Sequence, residues 1–68
     1  MTKLNDFILA LEECVKTENT VPSTDEMELA MRRAAIPVMK NGTVMFRFAG
    51  GEILSVKSCE KYAQMLVA

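Results

Sequence analysis

Histidine is absent from this 68-residue chain, and with it the commonest general base and metal ligand. Three glycines and two prolines are too few for a low-complexity or linker-rich chain, and they form no GxGxxG, P-loop or GxSxG pattern, so no phosphate cradle or nucleophile elbow is present. The two cysteines, Cys14 and Cys59, show no CxxC spacing, which excludes a thioredoxin-like pair and the usual zinc arrangements. No apolar run approaches the roughly 18 residues of a membrane span. The opening stretch MTKLNDFILALEECVK is broken by Glu12 and Glu13 and has no small-residue cleavage site, so a signal peptide is not expected either. A cytoplasmic protein without membrane attachment is the expectation.

The acidic pairs Glu12-Glu13 and Asp25-Glu26 are neighbours on predicted helices and diverge around the axis, whereas acid-base carboxylates must converge on one substrate. We therefore expect no enzyme, no catalytic residue, no metal and no cofactor.

What is present is half apolar and a quarter charged, the composition of a globular chain. One domain over residues 1–68 fits, and a chain of this length buries only roughly 60% of its unfolded surface, so a self-partner or another protein is an ordinary expectation. Charge is polarised along the chain. Up to Ala30 two lysines stand against seven carboxylates, a net of −5, and from Met31 onward six cations stand against two carboxylates, a net of +4. Such asymmetry serves either an outside partner or the packing of one half on the other.

Leu4, Phe7, Ile8, Leu11 and Val15 recur at helical spacing, with Cys14 beside them and Thr2 or Asn5 as a candidate cap; the polar run Thr17 to Thr20 ends that helix. Ser23 and Glu26 have the capping-box spacing, with Thr24 as rival cap, and Met27, Ala30, Met31 and Ala34 form the next apolar stripe. Pro37 stops this second helix.

The stretch PVMKNGTVMFRFAGGEILSVK then alternates apolar and polar residues. Asn41-Gly42 is a type I′ hairpin signal that sets Met39 opposite Val44 and Pro37 opposite Phe46. A two-residue Gly50-Gly51 loop would pair Phe46 with Ser55. A three-residue loop, Ala49 to Gly51, instead pairs Phe46 with Leu54 and Val44 with Val56, and is preferred. Met39, Val44, Phe46, Phe48, Leu54 and Val56 then face the helices. Ser58 caps a last helix from Cys59 to about Val67 with Tyr62, Met65 and Leu66 as contacts, and Met27, Met31 and Met65 are core filler. The fold class is α+β, two N-terminal helices, a three-stranded antiparallel meander and a C-terminal helix, with the helices on one face of the sheet.

The other face carries Val38, Lys40, Met45, Arg47, Ile53, Ser55 and Lys57, an apolar centre with a charged rim, as in a partner-binding surface. The expected function is a small interaction module that occupies a surface of a protein partner, with self-association, a dimer favoured, through this face or a strand edge. Short cofactor-free proteins of this kind are frequent among phages and mobile elements, where they inhibit or redirect host machinery, including defence systems; size alone sets that expectation. The alternative is nucleic-acid binding or a regulatory subunit through Arg32, Arg33, Lys40, Arg47 and Lys57, against which stand the acidic pI and the lack of an aromatic on that face. A ligand sponge with pockets between subunits is a third reading. Both cysteines are expected on apolar helix sides as buried thiols, with a helix-to-helix redox link as the sharper reading.

The KNG turn, its flanking strands and the EKYAQML helix resemble the small helix-hairpin-helix proteins that join phage heads to tails. A third strand and an extra helix depart from that pattern, and no functional residue carries over.

Overall fold

The computed structural model describes residues 1–67, in the order α1 (Leu4–Glu18), α2 (Thr24–Ala34), β1 (Ile36–Lys40), β2 (Thr43–Arg47), β3 (Ile53–Leu54) and α3 (Val56–Leu66). The strands form one antiparallel sheet in the order β1-β2-β3, and the α+β class expected from the sequence is the one observed.

Each boundary has a local cause. Lys3 rather than Thr2 or Asn5 stands at the start of α1, and no side chain caps it. The backbone of Thr2 is committed elsewhere: its N–H donates to the Ala34 carbonyl at 2.7 Å and its carbonyl accepts from the Ala49 N–H at 3.0 Å. The N-terminus thereby stitches the end of α2 to the loop after β2. Helix α1 runs through Glu18 and stops where Asn19 turns left-handed, a conformation that asparagine tolerates better than most residues. At α2 the capping box is complete, with the Glu26 N–H donating to Ser23 Oγ at 3.2 Å and the Ser23 N–H donating to Glu26 Oε1 at 2.8 Å. Those bonds from Ser23 hold the Glu26 carboxyl below the usual carboxylate range. Ala35 is already extended, and Ile36, barred from helix by Pro37, begins β1.

The hairpin registers are those the alternation predicts. Pro37 pairs with Phe46, Met39 with Val44, and Phe46 with Leu54. Asn41 and Gly42 both have positive φ, as a type I′ turn requires. Phe48 N–H donates to the Glu52 carbonyl at 2.8 Å, which closes the three-residue loop Ala49 to Gly51, with Gly51 left-handed at φ 92°.

The expected pairing of Val44 with Val56 does not form. Ser55 caps α3 by accepting from the Ser58 N–H at 3.1 Å, so Val56 is the first helical residue and β3 is two residues long. Ser58 is therefore not the cap. Val56, Cys59, Ala63 and Leu66 share a helical stripe, and this periodicity overrides the short strand-like alternation of Leu54 and Val56.

Phe46, Phe48, Met27, Met31 and Val15 are fully buried, joined by Phe7, Leu11, Cys59 and Ala63 from the helices. The Phe7 and Phe48 rings meet at 5.2 Å, tilted by 48°. Helix α3 lies against both α1 and α2. Tyr62 Oη donates to Glu12 Oε2 across the first contact, and Thr24 Oγ1 to Glu60 Oε2 at 2.9 Å across the second. Three residues expected inside are outside: Met39, Val44 and Met65 are 68%, 37% and 81% exposed. The helical layer ends before it reaches the Met39–Val44 pair, and Met65 lies off the stripe of α3 that enters the core. Ala30 is likewise exposed.

Candidate functional surface

Because Phe46 and Phe48 face the helices, the register sends the alternate residues of each strand to the opposite side. Ile36 lies beside Arg47, Val38 beside Met45, Lys40 beside Thr43, and Arg47 beside Ile53. All three helices contribute to the core on the other side, so among the described residues no helix covers this face. Val38, Met45 and Ile53 are half-buried by their neighbours, while Lys40 and Arg47 are exposed.

Five of the seven residues expected on this surface are thus brought together: Val38, Lys40, Met45, Arg47 and Ile53. Ser55 and Lys57 are not among them, since Ser55 caps α3 and Lys57 lies in its first turn. Ile36, 42% exposed, belongs to the surface and was missed. Its two-residue spacing from Val38 was the available signal, masked by its position before a proline. Lys40 and Arg47 are the charged side chains of the face, and it carries no carboxylate.

The five cations proposed for nucleic acid do not gather. The Arg32 guanidinium lies 5.5 Å from the centroid of the Phe46 ring, on the helix side of the sheet, and its Nε donates to Glu28 Oε2 at 3.4 Å. Arg33 lies in the last turn of α2 and Lys57 in the first turn of α3, which leaves Lys40 and Arg47 on the sheet.

The strand edges are a poorer docking place than the face. In a two-residue hairpin the pair flanking the turn, Lys40 and Thr43, exchanges both hydrogen bonds, so the backbone groups of Pro37 and Met39 point away from β2. Proline has no N–H to offer there, which blunts the outer edge of β1. The opposite edge is the two-residue β3.

A second concave feature lies between α1 and α2, a groove of about 330 Å³ floored by Phe7, Leu11 and Met27. Cys14, Glu18 and Glu26 stand along it, and Cys14 Sγ donates to Glu18 Oε2 at 3.1 Å. Contrary to the expectation of two buried thiols, Cys14 is exposed; Cys59 is buried, and both are free. The bond to Glu18, with slight burial and the charges of Glu18 and Glu26, pushes the Cys14 thiol above its ordinary range, and burial does the same for Cys59. Both shifts favour the protonated thiol over the thiolate. Among the described residues no three metal-ligating side chains gather, and no helix is long and apolar enough to cross a membrane.

Comparison with protein-family models, with curated proteins and with solved structures returned no match, so the resemblance to phage head-to-tail joining proteins gains no support from them.

Proposed function

We propose that this protein is a non-enzymatic interaction module that binds an acidic surface of a partner protein through its uncovered sheet face. The observation that carries the reading is that face itself: Ile36, Val38, Met45 and Ile53 form an apolar centre with no helix over it, bordered by Lys40 and Arg47 and free of carboxylates. An apolar centre within a charged rim is the anatomy of a protein interface, and the sign of the rim selects an acidic partner. Two copies meeting face to face would set no carboxylate against either cation, so charge favours a different protein over the homodimer on this surface. An inhibitor or accessory factor encoded by a phage or mobile element, acting by occupying a host protein, is the role that fits a chain of this size.

The test uses Met45→Glu and Ile53→Lys, which leave the core untouched. Capture from an extract of the source organism is run in parallel with the native chain and both variants. A protein retained by the native chain and lost from both variants, then shown to bind directly when purified, supports the reading. Retention by all three chains overturns it. The nucleic-acid alternative is separated by a salt titration against a mixed-sequence oligonucleotide. With Lys40 and Arg47 as the two phosphate contacts the sheet retains, log K is expected to fall with log salt at a slope of about −1.4 to −1.8, and a slope of that size abolished by Arg47→Glu establishes the alternative.

A further inference from the structure

One pair in from the turn of the β1-β2 hairpin lies a cross-strand pair, Met39 and Val44, that is on the core-facing side of the sheet yet exposed. The arm is held firmly in shape by its type I′ turn at Asn41 and Gly42. From Pro37 to Met45 its single charge is Lys40. At another place on the same molecule, the groove between α1 and α2 has complementary properties. Its floor is apolar, its walls include the small side chains of Ala10 and Ala30, and its charged residues are Glu18 and Glu26, with no cation lining it. At about 330 Å³ it has the volume of roughly ten waters, ample for a methionine side chain.

We propose that the hairpin arm of one copy docks in the α1-α2 groove of a second copy, with Met39 and Val44 seated against the exposed Ala10 and Ala30 of the groove walls and Lys40, which leaves the arm on its opposite side, reaching round the tip to the carboxylates of Glu18 and Glu26. Charge complementarity names the occupant: the arm offers one cation and no carboxylate to a groove that offers two carboxylates and no cation. The flexible thioether of Met39 suits an irregular groove, and the four-carbon stem of Lys40 lets its ammonium reach past the strand end. Arm and groove are different surfaces of one chain, so the contact is head-to-tail and repeats until it closes as a ring or continues as a filament. It shares Lys40 with the sheet-face reading but uses neither Met45 nor Ile53, the positions that test that reading, so the failure of either leaves the other standing.

Head-to-tail contacts have a signature in mixtures. The native chain is expected to show a concentration-dependent mass of at least twice the 7.6 kDa of one copy by sedimentation equilibrium. Met39→Glu spoils the arm and leaves the groove, whereas Ala30→Arg blocks the groove and leaves the arm. Each variant alone is expected to be monomeric, and an equal mixture to form a capped pair of one copy of each. Cys14 lies in the groove, so its alkylation by iodoacetamide is expected to slow as native protein concentration rises, and not to slow in either variant. Val44→Glu carries the same prediction as Met39→Glu should the latter fail to fold by circular dichroism. A native chain that stays at 7.6 kDa up to about 1 mM, or an assembly whose mass both substitutions leave unchanged, overturns the proposal.

Discussion

Met39 and Phe48 lie on the same side of the sheet by pattern, and replacing each with alanine separates a buried core from an exposed arm. Phe48 is fully buried, its ring 5.2 Å from that of Phe7. Phe48→Ala removes that contact and leaves a cavity, at a cost of about 3–5 kcal/mol. A chain of this length has a total stability of about 3–10 kcal/mol, so the variant is expected to be largely unfolded or to melt at least about 12 °C lower. Met39 is 68% exposed, so truncation forfeits about a third of its burial, below about 1 kcal/mol. Urea unfolding followed by circular dichroism at low micromolar concentration gives both numbers. Comparable losses in the two variants would falsify the separation of arm from core.

Two further outcomes follow from the caps and the titrating groups. Ser55→Ala is expected to cost about 1 kcal/mol, and Ser58→Ala less than half of that, in the same urea assay, because Ser55 supplies the oxygen that satisfies the first turn of α3. The reverse order would restore Ser58 as the cap. Tyr62 and Cys59 both have pKa values raised by folding, the phenol through its bond to Glu12 and the thiol through burial. A raised folded value contributes stability that is fully present below the unfolded pKa and is lost as pH rises through the folded one. Urea midpoints should therefore be level near neutrality and fall in the alkaline range, with Tyr62→Phe removing part of the fall; a midpoint that climbs there contradicts both assignments.

The parts of this fold legible in the sequence are those decided by neighbouring residues. Asn41-Gly42 needed only its own backbone preference, and Ser23 with Glu26 only a spacing of three. The loop from Ala49 to Gly51 followed from asking which register keeps Phe46 and Leu54 on one face. What the pattern could not convey was distance. Alternation assigns Met39 and Val44 to a side of the sheet but does not say where the helices covering that side end. Val56 satisfied both a strand and a helix period, and the choice fell to the Ser55 hydroxyl, a matter of one hydrogen bond. For Cys14, a few tens of degrees around a helix axis separate burial from exposure, finer than spacing alone resolves, whereas Met65 lies on the far side of α3 from Cys59 and Ala63, as helical spacing would have shown once the helix was begun at Val56. The candidate surface was legible in its centre, Val38, Met45 and Ile53, because those lie within the strands. It failed at its ends, where Ile36 joined the strand and Ser55 left it.

The charge asymmetry of the chain admitted two uses, and the structure weighs on the choice. Packing of an acidic half on a basic half would leave ion pairs between distant elements. The ion pair found among the described residues, Arg32 with Glu28, joins two exposed side chains one turn apart in α2. The polar ties between α3 and the other helices, Tyr62 to Glu12 and Thr24 to Glu60, each pair a carboxylate with a neutral hydroxyl. Lys40 and Arg47 on the sheet, and Glu18 and Glu26 along the groove, thus form no ion pair with one another among the described residues. Salt should act accordingly. At about 1 M the screening length falls to about 3 Å, which weakens contacts between exposed charges while leaving apolar burial in place. Urea stability is expected to change little between low salt and 1 M sodium chloride, while partner binding and self-association both weaken. A fold that loses stability as steeply as the contacts do would mean that the two halves hold each other by charge after all.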